Sequence, residues 1–212
     1  MGDEPVGGTD AESAGVPFPT VALEMPSAQV LADQSATIQD LQFVMDCCKR
    51  LLAELAKPAD DQDLIVALAL WSAALVAYAR CFSKGSQFGL DTDDVRSLPL
   101  QGAVMKFHAW AIDERRKLTV HPGKPFTAAK VGAALSSGGE GGDQVAGIAI
   151  MSANRVLVDD IGVRQLGALA SELAKQIAQK ARDQEDVVLA EARRLSPDNL
   201  ARLAPLRPGP AA

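Results

Sequence analysis

From residue 32 to residue 56 the apolar side chains Ile38, Leu41, Phe43, Val44, Met45, Leu51, Leu52 and Leu55 recur at helical spacing. Pro58 closes that helix, because proline lacks the backbone N–H and clashes with the preceding turn. Asp60, Asp61 and Asp63 follow, where carboxylates favour a helix start by meeting exposed N–H groups and the positive end of the dipole. A second helix is predicted from about Asp61 to Phe82. Its stretch from Leu64 to Ala79 is apolar except for Ser72, which places it in the middle of the fold. A loop with Gly85 and Gly89 comes next, and then another start signal, Asp91, Asp93 and Asp94. A third helix is predicted over residues 101–120, stopped by Pro122 and Gly123. The acid clusters stand just ahead of apolar runs, so helix caps account for them better than metal or acid–base sites do.

Beyond Pro125 the pattern changes. Ala128–Leu135 and Val145–Met151 are small and β-branched, and the Gly-rich run between them is incompatible with a helix. A turn at Ala153-Asn154 leads into Arg155–Val158, so a two- or three-stranded antiparallel meander is predicted. Asp159 and Asp160 open a long helix from about Ile161 to Leu195, with Val163, Leu166, Leu169, Leu173 and Ile177 on one face. Ser196-Pro197-Asp198 is a cap with proline at the first helical position, and predicts a short final helix. The expected organisation is a disordered tail over 1–30, a helical core over 31–125, a β-meander over 126–160, C-terminal helices packing on the core over 161–204, and a disordered tail over 205–212. The fold class is mainly α, a helical bundle with a small antiparallel meander inserted before a long C-terminal helix.

Composition narrows the function. Hydrophobic residues make up 48% of the 212 and charged residues 23%, which supports a sizeable core. With only 4% aromatics and an apolar set led by Ala and Leu, helix-on-helix packing is favoured over a β-sandwich. The net charge of −6 and pI near 5.0 argue against bulk binding of nucleic acid or anionic membrane. Residues 1–20 are acidic without an apolar run, and the apolar stretch ending at Ala79 is shorter than the ~20 residues of a span, so a cytoplasmic chain with no membrane partner is expected. Cys47, Cys48 and Cys81 read as buried free thiols of a reducing compartment. Two histidines give no zinc-ligand spacing, and no metal or cofactor is expected.

The usual catalytic patterns are missing. Gly138-Gly139-Glu140-Gly141-Gly142 lacks the Lys-Ser/Thr end of a phosphate loop, and no Gly-x-Ser-x-Gly elbow occurs. The chemistry concentrates in residues 104–126, which hold both histidines. His108 and Arg115 stand seven apart and share a helical face, and His121 falls at the end of the same helix. An imidazole titrating near neutrality beside a guanidinium that grips phosphate bidentately can cleave a phosphodiester without a metal. RNA suits it in particular, since the ribose 2′-OH is an internal nucleophile. Residues 80–130 carry nine Lys/Arg against five Asp/Glu in an otherwise acidic chain, as local phosphate binding requires. A cap role for His121 at the helix C-terminus accounts for the same residue.

Arg115-Arg116-Lys117-Leu118-Thr119-Val120-His121 resembles the R-[D/N]-K-x-x-A-H form of the Arg-x4–6-His motif of HEPN domains. Tyr78-Ala79-Arg80-Cys81-Phe82-Ser83 is similar to a Y-x-R-P-F-[ST] segment of the same bacterial group, and His108 to its L-H lead-in seven residues before the motif arginine. The likeness covers roughly residues 35–125. It implies a HEPN-like bundle, homodimeric, with two Arg/His motifs facing across a cleft, acting as a metal-independent endoribonuclease in a toxin–antitoxin or phage-defence type of system. RNA and an antitoxin or other protein are the partners it implies. On that pattern Arg115 holds phosphate and His121 is the general acid–base, while Arg80, Arg116, Lys117, His108 and Lys124 are candidate phosphate or RNA contacts. Arg80 equally fits a buried arginine bonding helix-end carbonyls. Arg116 stands where Asp or Asn is usual, Val120 where Ala is, and Cys81 where Pro is common. These departures keep open a non-catalytic RNA-, nucleotide- or protein-binding module. A structural interaction protein, assembling through the strands and the long helix, is the reading from a different class.

Overall fold

Helical periodicity and acidic caps are realised in a computed structural model that describes residues 20–83, 88–119, 127–136, 144–154 and 159–206. Its elements are α1 (Pro26–Leu55), a 3-10 turn (Ala59–Asp61), α2 (Leu64–Cys81), α3 (Thr92–Arg96), α4 (Val104–Thr119), β1 (Thr127–Ser136), β2 (Gln144–Asn154), α5 (Asp160–Ala192) and α6 (Pro197–Arg202). The acid clusters are caps. Asp63 Oδ1 accepts from the N–H groups of Ile65 at 2.9 Å and Val66 at 3.0 Å. Asp159 Oδ1 accepts from Gly162 N at 2.7 Å. Asp91 and Asp94 form a reciprocal capping box, with Asp91 Oδ1 accepting from Asp94 N and Asp94 Oδ2 from Asp91 N, both at 3.0 Å.

That box starts a helix of its own. Sequence periodicity leads one to expect a single helix over 101–120, but α3 forms first and Pro99 separates it from α4. Gly102 completes the turn with φ at +91°, a conformation that side-chain-bearing residues avoid.

The core is a layer of long helices. α1 packs most extensively along α5 and next along α2, which in turn packs on α4; α3 bridges α4 and α5. The centre is therefore shared by α1 and α2, whereas the apolar run alone points to α2. Leu41, Val44 and Leu51 of α1, Leu75 and Tyr78 of α2, and Val163, Leu166, Leu173 and Ile177 of α5 are all buried to within 1% exposure. The five predicted face residues of α5 are all in this core. Close approach of α1 and α5 occurs where Gly167 faces Cys48, whose Cβ lies 3.5 Å from where a side chain at 167 would begin.

The first turn of α2 departs from the expectation, with Leu64, Ile65 and Val66 at 44, 80 and 42% exposure. By length and composition α2 is apolar enough to cross a membrane. Here its later turns are part of the bundle core.

The expected tail boundaries move. α1 begins at Pro26 instead of beyond residue 30, and Val21 forms an antiparallel bridge with Pro205. Ala22 N donates to Ala204 O at 2.8 Å and Leu206 N to Thr20 O at 3.0 Å, so residues 20–22 and 204–206 are tied together. α6, expected to pack on the core, buries none of its residues. β1 and β2 form an antiparallel two-stranded sheet with a register shift between Ala134 and Leu135. The expected third strand, Arg155–Val158, lies outside the described residues.

Candidate functional site

α4 carries the site residues that the structure describes. Its inward stripe runs Val104, His108, Ala111, Arg115, at the three- and four-residue spacing that keeps side chains on one helical face. His108 and Ala111 are buried, Arg115 is half-buried, and Arg116 next to it is exposed. His121 and Lys124 lie outside the described residues, as does the side chain of Lys117.

His108 is held in the core. Its Nδ1 and the Tyr78 hydroxyl are joined by a hydrogen bond of 2.8 Å, and its ring lies 4.6 Å from that of Phe82 and 5.9 Å from that of Tyr78. It retains 5% exposure, and burial in this apolar setting lowers its pKa, so the neutral imidazole is favoured. The sequence offers His108 as a phosphate contact; the structure places its ring in the core with Nδ1 engaged by Tyr78. Position 108 shares a face with Arg115, but that face is turned inward at the helix's middle.

Arg80 is on a different side of the molecule. It follows Tyr78 by two residues, about 200° around the helix, so it points away from the α4 contact that Tyr78 makes. Its guanidinium donates to both carboxylate oxygens of Asp40 on α1, through Nε at 2.7 Å and through a second nitrogen. That hydrogen bonding raises the Arg80 pKa above its usual value. The pair lines a groove of about 360 Å³ with Asp33, Thr37, Ser83 and Phe88 among its walls. Two carboxylates against one guanidinium make this a poor phosphate site. Nor is Arg80 a buried arginine bonding helix-end carbonyls, since its side chain is 62% exposed. Asp40 and Tyr78 were not identifiable from the sequence as partners, because each is separated by 30 or more residues from the group it holds.

The basic residues of this segment stand on several elements, and two of those described are in ion pairs. Arg80 pairs with Asp40 and Arg96 with Asp93, Lys106 and Arg116 are exposed on α4, and Lys130 is on β1. What the structure brings toward the motif is a half-buried Arg115 and an exposed Arg116, two turns past His108 at the C-terminal part of α4. Among the described residues, no three His, Cys, Asp or Glu side chains are grouped as metal ligands. The three cysteines are free and buried; burial pushes the thiols of Cys48 and Cys81 up to about 12. Comparison with family models, with curated proteins and with solved structures returns no match for this chain.

Proposed function

We propose that the chain is a HEPN-like helical module that binds RNA at the C-terminal end of α4 and cleaves it there without a metal. The observation that carries this reading is the half-buried Arg115, fixed on the inward stripe of α4 six residues before His121 and flanked by the exposed Arg116. A guanidinium whose stem is packed loses less side-chain freedom on gripping a phosphate than one on an open surface. Arg115 holds the scissile phosphate, and His121 takes the proton from the 2′-OH and returns one to the leaving oxygen. Arg116 adds a second, solvent-facing charge for the backbone. The reading also carries the expected homodimer, a cytoplasmic location and a protein partner of antitoxin type.

A non-catalytic RNA-binding module is the second reading. It is favoured by the structural engagement of His108 and Arg80, which leaves fewer groups for chemistry than the motif suggests. The deciding experiment is a cleavage assay on mixed fluorogenic RNAs with EDTA present, using wild type, Arg115→Ala and His121→Ala sized identically beforehand. Loss of cleavage in both variants, with 2′,3′-cyclic phosphate ends in the wild type, is the expected result. Equal cleavage by all three proteins means contamination and removes the catalytic reading. Arg115-dependent RNA binding without cleavage selects the second.

A further inference from the structure

The β-hairpin presents an apolar face that no described element covers. Paired residues of an antiparallel ladder share a face. The register Val131↔Ile150, Ala133↔Ile148 and Leu135↔Val145 therefore puts all the branched aliphatics on one side. Val131, Leu135, Val145, Ile148 and Ile150 are 58–71% exposed. The other side carries Lys130, Gly132, Ala134, Gly147, Ala149 and Met151. A two-stranded sheet alone is marginal in water; three or more strands with an apolar face are needed for stability.

The outer edge of β2 shows what completes it. Gln144–Asn154 has no charge and no proline, the two devices that blunt an exposed edge, while β1 carries Lys130. The segment Gly147-Ile148-Ala149-Ile150-Met151 is complementary to itself when paired antiparallel about Ala149. Ile148 then faces Ile150 of the second copy, Gly147 leaves room for Met151, and Ala149 faces Ala149.

We propose that the hairpin is a self-association surface, in which β2 pairs with β2 of a second copy about a two-fold axis at Ala149. The result is a four-stranded sheet in the order β1-β2-β2-β1, with both aliphatic faces on the same side. No like charges meet along the new edge. A lipid surface fits less well: Glu140 and Asp143 stand in the segment linking the strands, and the hairpin lacks the Trp and Tyr that anchor at a membrane interface. Pairing along one strand edge joins main-chain groups and cross-strand side chains only, well below the ~1,200 Å² of a standard stable interface, so the dimer is weak.

Cysteine cross-linking of the full chain tests it. Ala149→Cys places two thiols opposite each other at ~5 Å between Cα atoms, within disulfide range. Lys130→Cys places them at least three strand spacings apart, ~14 Å or more, beyond reach. The native cysteines, 3–4% exposed, contribute little background. A disulfide dimer formed at least tenfold faster by Ala149→Cys is expected, together with a wild-type elution volume that falls with concentration. Ile148→Lys and Ile150→Glu, each at an exposed position that leaves folding intact, abolish that shift separately and restore it when mixed. Equal cross-linking at both positions, or a wild type that stays monomeric to ~1 mM, overturns the proposal. Co-flotation with phosphatidylcholine vesicles that Ile148→Lys removes overturns it in favour of a membrane.

Discussion

Replacing Tyr78 by Phe removes one oxygen from the core and leaves the ring packing in place. His108 Nδ1, 2.8 Å from that oxygen and buried, then has lost its partner without gaining water. An orphaned buried polar atom costs about 1–3 kcal/mol. For a chain of this size 1 kcal/mol moves Tm by roughly 2–4 °C, so a loss of about 4–8 °C is expected for a 2 kcal/mol penalty. The double variant Tyr78→Phe/His108→Leu removes both partners and should recover most of that loss. Acid supplies an independent check. The folded state holds His108 below its ordinary value of 6.5, because burial opposes the charged ring. Below pH 6.5 the unfolded chain binds a proton that the folded one resists, so stability falls by up to ~1.4 kcal/mol per pH unit until the folded pKa is reached. Glu54 is the acid held low, by the Lys57 ammonium and the Asp63 N–H, and it titrates below 4.5, outside the window from pH 6.5 to 5. Thermal melts of wild type and both variants between pH 7.5 and 5 measure this directly. A Tyr78→Phe protein as stable as wild type would refute the account of His108 as a core residue. So would an acid slope that survives in the double variant.

Three further outcomes follow from the same packing. Gly167→Ala should stabilise the fold by about 0.5–1 kcal/mol in urea titration, because alanine favours the helix and its Cβ meets Cys48 Cβ at an ordinary 3.5 Å. Gly167→Leu should destabilise it by overpacking the same contact. At pH 8 the native thiols should react with a disulfide reagent far more slowly than in denaturant, since Cys48 and Cys81 are held as thiols up to about 12. Arg80→Gln should change stability by less than ~1 kcal/mol, as expected for an exposed ion pair, and leave any RNA cleavage within twofold of wild type.

The elements were legible wherever a local rule governs them. Acid caps placed the starts of α2 and α5, Ser196-Pro197 started α6, and small β-branched runs gave both strands to within a few residues. Misses occurred where distant contacts govern. α1 extends back to Pro26 because Gln184 Nε2 donates to Ser27 O at 2.9 Å and Ser27 Oγ donates to Glu191, both from the far end of α5. Local periodicity cannot see a partner more than 150 residues away. The pairing of residues 20–22 with 204–206 has the same cause. For the site, the spacing of His108 and Arg115 correctly gave a shared face, but spacing alone does not say which way the face points. Arg80 was legible as an exception to the apolar helix, and its partner Asp40 was not.

The residues that made the resemblance persuasive now divide into two groups. Tyr78, Phe82 and His108 form one aromatic cluster at the crossing of α2 and α4, and Arg80 ties α2 to α1. Any helical bundle that needs those two joints could select these residue types for packing alone, so their presence bears on the fold and not on the chemistry. Arg115 and Arg116 belong to the second group: Arg115 is half-buried on the inward stripe of α4 and Arg116 faces water. A test of function must therefore perturb Arg115 and His121, and variants at His108 or Arg80 serve as stability controls. If the His108 and Arg115 variants lost RNA activity in proportion to their loss of folded protein, the motif would be a structural joint throughout. A loss at Arg115 with full stability would separate chemistry from packing on a single helix.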